Sequence, residues 1–283
     1  MRSTEEMLRL ITDTAAGDKN VRAAVLSGSR ADSSRPRDVY QDYDVAFLVK
    51  DLMPYFNNPC FIERTFGKVL IMQMPDLLDN PALTVETAER FTYLSIFEDG
   101  VRLDLTVTTA MPDWGNEPMK VLFDREGHLE DNLDNECYMV RRPTQAEFSA
   151  CCNEFWWCLN NVAKGLKREE IPYAKSMFEM TLRPQLDKIV SWYIGTFTDF
   201  SVSTGKMGKY FKKYLPDNIY GKYLKTYTTA DPARIWTSLI NTCKLFSDLA
   251  RITASDLGLE YNTAEEDGAR LYMMGVKGGA YEK

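Results

Sequence analysis

The hydrophobic rhythm of this chain changes once, at Arg141-Arg142-Pro143, and that switch limits the folds open to it more than any other feature. Before it, short apolar runs at 21–27, 43–49, 68–74, 91–97, 101–108 and 120–123 have the length and two-residue period of strands. After it, apolar positions recur every three or four residues. Thr144-Gln145-Ala146-Glu147 has the spacing of a capping box and runs into Phe148, Cys152, Phe155, Trp156 and Leu159, one face of a helix. Further helices are predicted at about 173–196, 218–227 and 233–257. The expected architecture is therefore α/β plus α: a mixed β-sheet domain over residues 1–142, then a helical bundle over 143–283 with a mobile tail at 278–283.

At 283 residues and 45% hydrophobic, the chain has apolar material for two cores. Charge is uneven. Residues 1–142 carry 16 basic and 25 acidic side chains, net −9, whereas 143–283 carry 18 and 16, net +2. Nothing here is a basic footprint for nucleic acid, so a polynucleotide partner is disfavoured. The six cysteines form no C-x-x-C pairs, which argues against zinc or disulfide frameworks. There is no apolar leader and no run of about 18 apolar residues, so the reading is a cytoplasmic protein with reduced thiols and no membrane partner. His128, the one histidine, sits in the polar run Arg125-Glu126-Gly127-His128 and reads as a surface residue of a turn. Chemistry built on several histidines is thereby excluded.

Three features of the first domain gain meaning together. One strand ends in Ser27-Gly28-Ser29-Arg30, a second opens with Asp42-Tyr43-Asp44, and a third carries Arg102-Leu103-Asp104-Leu105-Thr106. Alternation puts Asp42 and Asp44 on one face of their strand and Tyr43, Val45, Phe47 and Val49 on the other. Asp104 and Thr106 likewise oppose Leu103, Leu105 and Val107. If these strands are neighbours, three carboxylates converge, and their repulsion calls for a cation. Magnesium favours such hard oxygen ligands, and two ions roughly 3.5–4 Å apart activate an attacking hydroxyl and stabilise a leaving phosphate oxygen. Gly28 lets the backbone approach a phosphate, Ser29 and the N–H groups opening a short helix are donors, and Arg30 adds charge. Taken singly, Gly-Ser is an ordinary turn, D-x-D a solvated strand edge and Asp104 the partner of an arginine. Their order in one sheet favours a metal-dependent nucleotide site.

That order resembles the nucleotidyltransferase superfamily typified by DNA polymerase beta. Further segments, Leu26-Ser27-Gly28-Ser29-Arg30, Gln41-Asp42-Tyr43-Asp44, Phe97-Glu98-Asp99-Gly100, Leu103-Asp104-Leu105-Thr106, Arg142-Pro143-Thr144, Cys151-Cys152-Asn153-Glu154-Phe155-Trp156 and Lys164-Gly165-Leu166, are similar to the bacterial aminoglycoside 6-adenylyltransferases, the streptomycin adenylyltransferase family. The likeness extends over nearly the whole chain. It implies transfer of AMP from Mg-ATP to the 6-hydroxyl of streptomycin, with pyrophosphate released. It further implies Asp42 and Asp44 as magnesium ligands and Gly28 and Ser29 as triphosphate contacts. Asp104 would complete the metal site and take the proton of the attacking hydroxyl, with Glu154 of the helical domain as the reserve base.

Within Lys206-Met207-Gly208-Lys209-Tyr210-Phe211-Lys212-Lys213, Lys206 and Lys209 match lysines of that family and are the expected phosphate contacts. A polycationic acceptor suits the acidic first domain, where Glu98 and Asp99 are candidate contacts, although Glu98-Asp99-Gly100 also reads as a hairpin turn. Trp156, Trp157 and Trp192 read as core rather than as sugar platforms. Both substrates are expected in a cleft between the domains. The rivals are the same chemistry on another acceptor, and a catalytically silent nucleotide-binding scaffold that would have lost one of the three aspartates.

Overall fold

Ser3 opens the first helix through a capping box: its hydroxyl accepts the Glu6 N–H at 3.1 Å, and the Glu6 carboxylate accepts the Ser3 N–H at 2.7 Å. The computed structural model describes residues 1–32, 37–110 and 117–281. It divides into two units, Met1–Cys137 and Tyr138–Lys283. The division lies slightly before the switch at Pro143 because Val140 already donates its N–H to Val202 of the helical unit, at 3.0 Å.

In the first unit, α1 (Thr4–Gly17) is followed by β1 (Val21–Ser27), α2 (Gly28–Ala31), β2 (Tyr43–Val49), α3 (Pro59–Phe66), β3 (Val69–Gln73), α4 (Pro75–Asp79), β4 (Arg90–Phe97), β5 (Arg102–Thr108) and β6 (Met119–Asp124). The strands form one sheet in the order β3-β4-β5-β2-β1-β6. Among the described residues only the β2–β5 pair is parallel, so the sheet is mixed. Each strand begins and ends within a residue of the expected run, because period-two burial is what marks both. Tyr43, Val45, Phe47 and Val49 of β2 pack with Leu103, Leu105 and Val107 of β5 and with Met7 and Ile11 of α1 in one core. The alternate residues of β2 and β5 face away from it.

The second unit contains α5 (Gln145–Lys167), α6 (Ile171–Met177), α7 (Arg183–Thr198), α8 (Phe211–Tyr214), α9 (Asp217–Leu224), α10 (Pro232–Leu257) and α11 (Thr263–Gly278). Thr144 caps α5 as its spacing predicts, with its hydroxyl accepting the Glu147 N–H at 3.2 Å. The Phe155 ring of α5 stacks on Phe246 of α10, 3.7 Å between centroids, at the centre of this core.

Four expectations need correction. The single helix over 173–196 is two helices joined by a π-helical turn at Phe178–Leu182. Pro184, at the start of α7, has no N–H to continue the regular ladder. The last helix, α11, lay outside the expected set altogether. Its segment up to Tyr281 is not a loose tail, since Tyr281 stacks on Tyr272 at 5.2 Å; Glu282 and Lys283 lie outside the described residues. Trp156 is buried, with its indole donating to the Tyr261 hydroxyl at 3.0 Å, and Trp192 is partly buried; Trp157, however, is 69% exposed. Among the described residues no helix is long and apolar enough to cross a membrane.

Candidate active site

Gly28 follows β1 with φ +67°, the left-handed region that L side chains rarely adopt. Because β1 runs antiparallel to β2, Ser27 stands opposite Asp44, and the turn is pressed onto that aspartate. A Cβ at position 28 would sit 2.3 Å from Asp44 Oδ2. Glycine is thus required twice, by dihedral and by contact. On its other side β2 runs parallel to β5, and Asp44 stands opposite Asp104. The Gly-Ser turn, Asp44 and Asp104 are thereby gathered on the sheet face turned away from the core.

Asp42 precedes β2 and joins this group through Arg102. The guanidinium grips Asp104 with two bonds, Nε to Oδ1 at 2.9 Å and Nη2 to Oδ2 at 2.7 Å, and its Nη1 lies 3.4 Å from Asp42 Oδ2. Asp44 accepts no hydrogen bond from its side among the described residues. Burial, and then the charges of Asp104 and Asp42, push its pKa up to about 6 against the opposing pull of Arg102. Asp42, Asp44, Asp104 and the Arg102 guanidinium share the site among the described residues.

The donor set fits magnesium: hard carboxylate oxygens, a half-buried Asp44 that no side chain hydrogen-bonds among the described residues, and a backbone cradle beside it that a Cβ would fill. Among the described residues the acids do not close into a ready metal shell. Arg102 holds two of them instead. The sequence holds the signal for this partner in Arg102-Leu103-Asp104, where alternation puts both charges on one face.

Other expected residues are engaged elsewhere. Arg30 is 5% exposed. Its Nη2 donates to Gln41 O at 2.8 Å, its Nε to Asp42 O at 3.1 Å and its Nη1 to Thr4 Oγ1 at 3.2 Å, while its plane lies 3.8 Å from the Tyr43 ring centre. In this structure Arg30, expected as a phosphate contact, tethers the segment leading into β2, and burial lowers its pKa. Glu98 and Asp99 lie in the β4–β5 turn, where Gly100 has φ +83°. Glu98 pairs with Lys68, and Asp99 accepts from Arg2 Nε at 2.7 Å and from the Val101 N–H at 3.2 Å. Arg2 holds the Asp99 carboxyl well below the usual range. Both acids serve the turn, the alternative role that their spacing also offers.

Ser29 lies half-buried at the start of α2, and its hydroxyl makes no bond among the described residues. In the second unit Glu154 is exposed on α5 and its Oε1 accepts from Cys158 Sγ at 3.2 Å. Lys206 and Lys209 are exposed on a tight turn in which Gly205, Met207 and Gly208 all have positive φ, and Lys209 Nζ lies 5.1 Å from the Tyr210 ring centre. Trp157 lines, with Asn160, Glu265 and Tyr272, a cavity of about 510 Å³ between α5 and α11.

The match to known proteins runs through both units. Residues 1–276 fit the family model described as Streptomycin adenylyltransferase. Aminoglycoside 6-adenylyltransferases of Bacillus subtilis and Campylobacter jejuni are 33% and 31% identical, over 98% and 94% of this chain and 98% and 93% of theirs. That of Staphylococcus aureus is 33% identical over 87% of this chain and 89% of its own. A crystal structure of an aminoglycoside 6-adenyltransferase from Bacillus subtilis aligns with TM-score 0.50 at 30% identity, covering 98% of this chain and 99% of that one. A mixed sheet bearing the Gly-Ser turn against Asp44, a helical second unit and a family match that spans them lead to one conclusion: the chain belongs to the streptomycin adenylyltransferase family, a family of enzymes.

Proposed function

We propose that this protein transfers AMP from ATP to the 6-hydroxyl of streptomycin in a magnesium-dependent reaction. The observation that carries the reading is the contact of the Gly28 turn with Asp44, whose strand partner is Asp104. A phosphate-approach turn is thereby joined to paired carboxylates, inside a chain whose relatives bear the name aminoglycoside 6-adenylyltransferase.

In the reaction the 6-hydroxyl oxygen bonds to the α-phosphorus, the bond from that phosphorus to the bridging oxygen breaks, and pyrophosphate leaves with the electron pair. Gly28 admits the triphosphate close to the backbone, and the Ser29 hydroxyl donates to it. Lys206 and Lys209 balance the charge of its outer phosphates. Asp42, Asp44 and Asp104 would hold Mg2+, which when bound neutralises charge on the phosphates and polarises the attacking oxygen. Asp104 takes the hydroxyl proton, and Glu154 is the alternative base. The acidic balance of residues 1–142, net −9, favours an acceptor bearing guanidinium groups.

The test is mass spectrometry of streptomycin after incubation with the protein, ATP and magnesium. The expected product carries one added AMP, forms with equimolar pyrophosphate and disappears when EDTA is present. An unmodified antibiotic refutes the acceptor. Arg102 seated on Asp104 favours a second reading, a nucleotide-binding protein without turnover. ATP binding by calorimetry, with no product from streptomycin or other aminoglycosides, would establish that reading instead.

A further inference from the structure

Arg102 and Asp104 are alternate residues of β5, so both project from the face that carries Asp44. The guanidinium meets Asp104 as a planar fork, 2.9 Å and 2.7 Å, and extends its third nitrogen to within 3.4 Å of Asp42. Its side chain is 42% exposed, so it approaches these acids from solvent and can withdraw without unpacking the core. It fills the space between two carboxylates that a hard cation would otherwise join, and it leaves the third, Asp44, without a hydrogen bond among the described residues.

We propose that Arg102 is a positioning residue, a resident counter-cation that holds Asp42 and Asp104 in the metal-free protein and is exchanged for Mg2+ as the site loads. This rests on the magnesium reading above. Exchange has an electrostatic logic, because one positive charge satisfies two of the three carboxylates whereas a divalent ion can also satisfy Asp44. Metal and guanidinium therefore compete for the same oxygens. The fork geometry further requires arginine; lysine would supply the charge through a single point contact.

Mn2+ uptake by the intact chain, followed through the EPR signal of the free ion with and without a non-hydrolysable ATP analogue, tests the exchange. Arg102→Met is expected to bind Mn2+ roughly tenfold more tightly than the wild type, the size expected when one competing charge-assisted pair is removed. Arg102→Lys should fall between them. An arginine serving only the fold would leave the affinity unchanged or weaken it, and either result overturns the inference while the magnesium reading stands. No uptake by the wild type under either condition removes both. Should the variants fail to fold, the Arg102 Nε–H resonance of the wild-type protein decides: it is expected to shift and lose exchange protection as Mg2+ saturates the site, and an unchanged resonance at saturation overturns the exchange.

Discussion

Asp44 illustrates how a site residue can work against the fold that carries it. Its pKa is raised from 3.8 to about 6, first by burial and then by Asp104 and Asp42, so the folded chain holds this proton more tightly than the unfolded chain. The stability contributed by that proton is complete below the unfolded value and declines as pH rises between about 4 and 6. Above that window the loss is constant, on the order of 3 kcal/mol by linkage. Asp44→Asn keeps the shape and removes the charge. It should abolish adenylyl transfer while raising the melting temperature of the metal-free protein at pH 7.5, with the two proteins converging near pH 4. Thermal unfolding across that range checks it, and a variant less stable than the wild type at pH 7.5 contradicts the assignment. Alternation alone put Asp44 and Asp104 each opposite the apolar side of its own strand, since a strand's period needs no tertiary information; that the two strands are neighbours in register is a property of the folded sheet. The partners of Arg30 and Asp99, and the reach of Arg102 to Asp42, were hidden, because each contact joins segments that only the folded sheet brings together.

Among the elements, legibility followed the strength of the local signal. Thr144 and Glu147 cap α5 reciprocally, and the sequence already contained both halves of that exchange. Thr144→Ala should cost about 1 kcal/mol and lower the melting temperature by a few degrees, with the KM for ATP unchanged. Calorimetry together with initial rates would check both statements; an altered KM would mean that the start of α5 reports to the nucleotide site. By contrast α11 buries only Glu266, Met273 and Val276 and contains Gly268 and Gly275, so its apolar stripe is weak. What holds it is a network: the buried Glu266 accepts from Arg251 Nη2 at 2.7 Å, Arg270 Nε at 2.8 Å and Ser247 Oγ at 2.9 Å. A buried glutamate reads in sequence as a solvated one until its two arginines are located.

Across the whole molecule the unequal charge of the two halves was visible in the sequence, but its consequence is a matter of substrates. The net charge is −7, made up of −9 in residues 1–142 and +2 in residues 143–283. Such a field attracts a guanidinium-bearing acceptor and repels nucleoside triphosphate, so one change in ionic strength should act on the two substrates in opposite senses. Raising KCl from about 20 to about 200 mM, which shortens the screening length from roughly 20 to below 10 Å, should lower kcat/KM for streptomycin several-fold. Over the same range kcat/KM for Mg-ATP should hold steady or rise, and kcat at saturation of both should stay flat. Initial-rate measurements at fixed free magnesium separate these quantities. A parallel fall for both substrates would indicate that salt acts on the metal site or the fold; no change for streptomycin would mean that local contacts, rather than the field of the acidic unit, select a cationic acceptor.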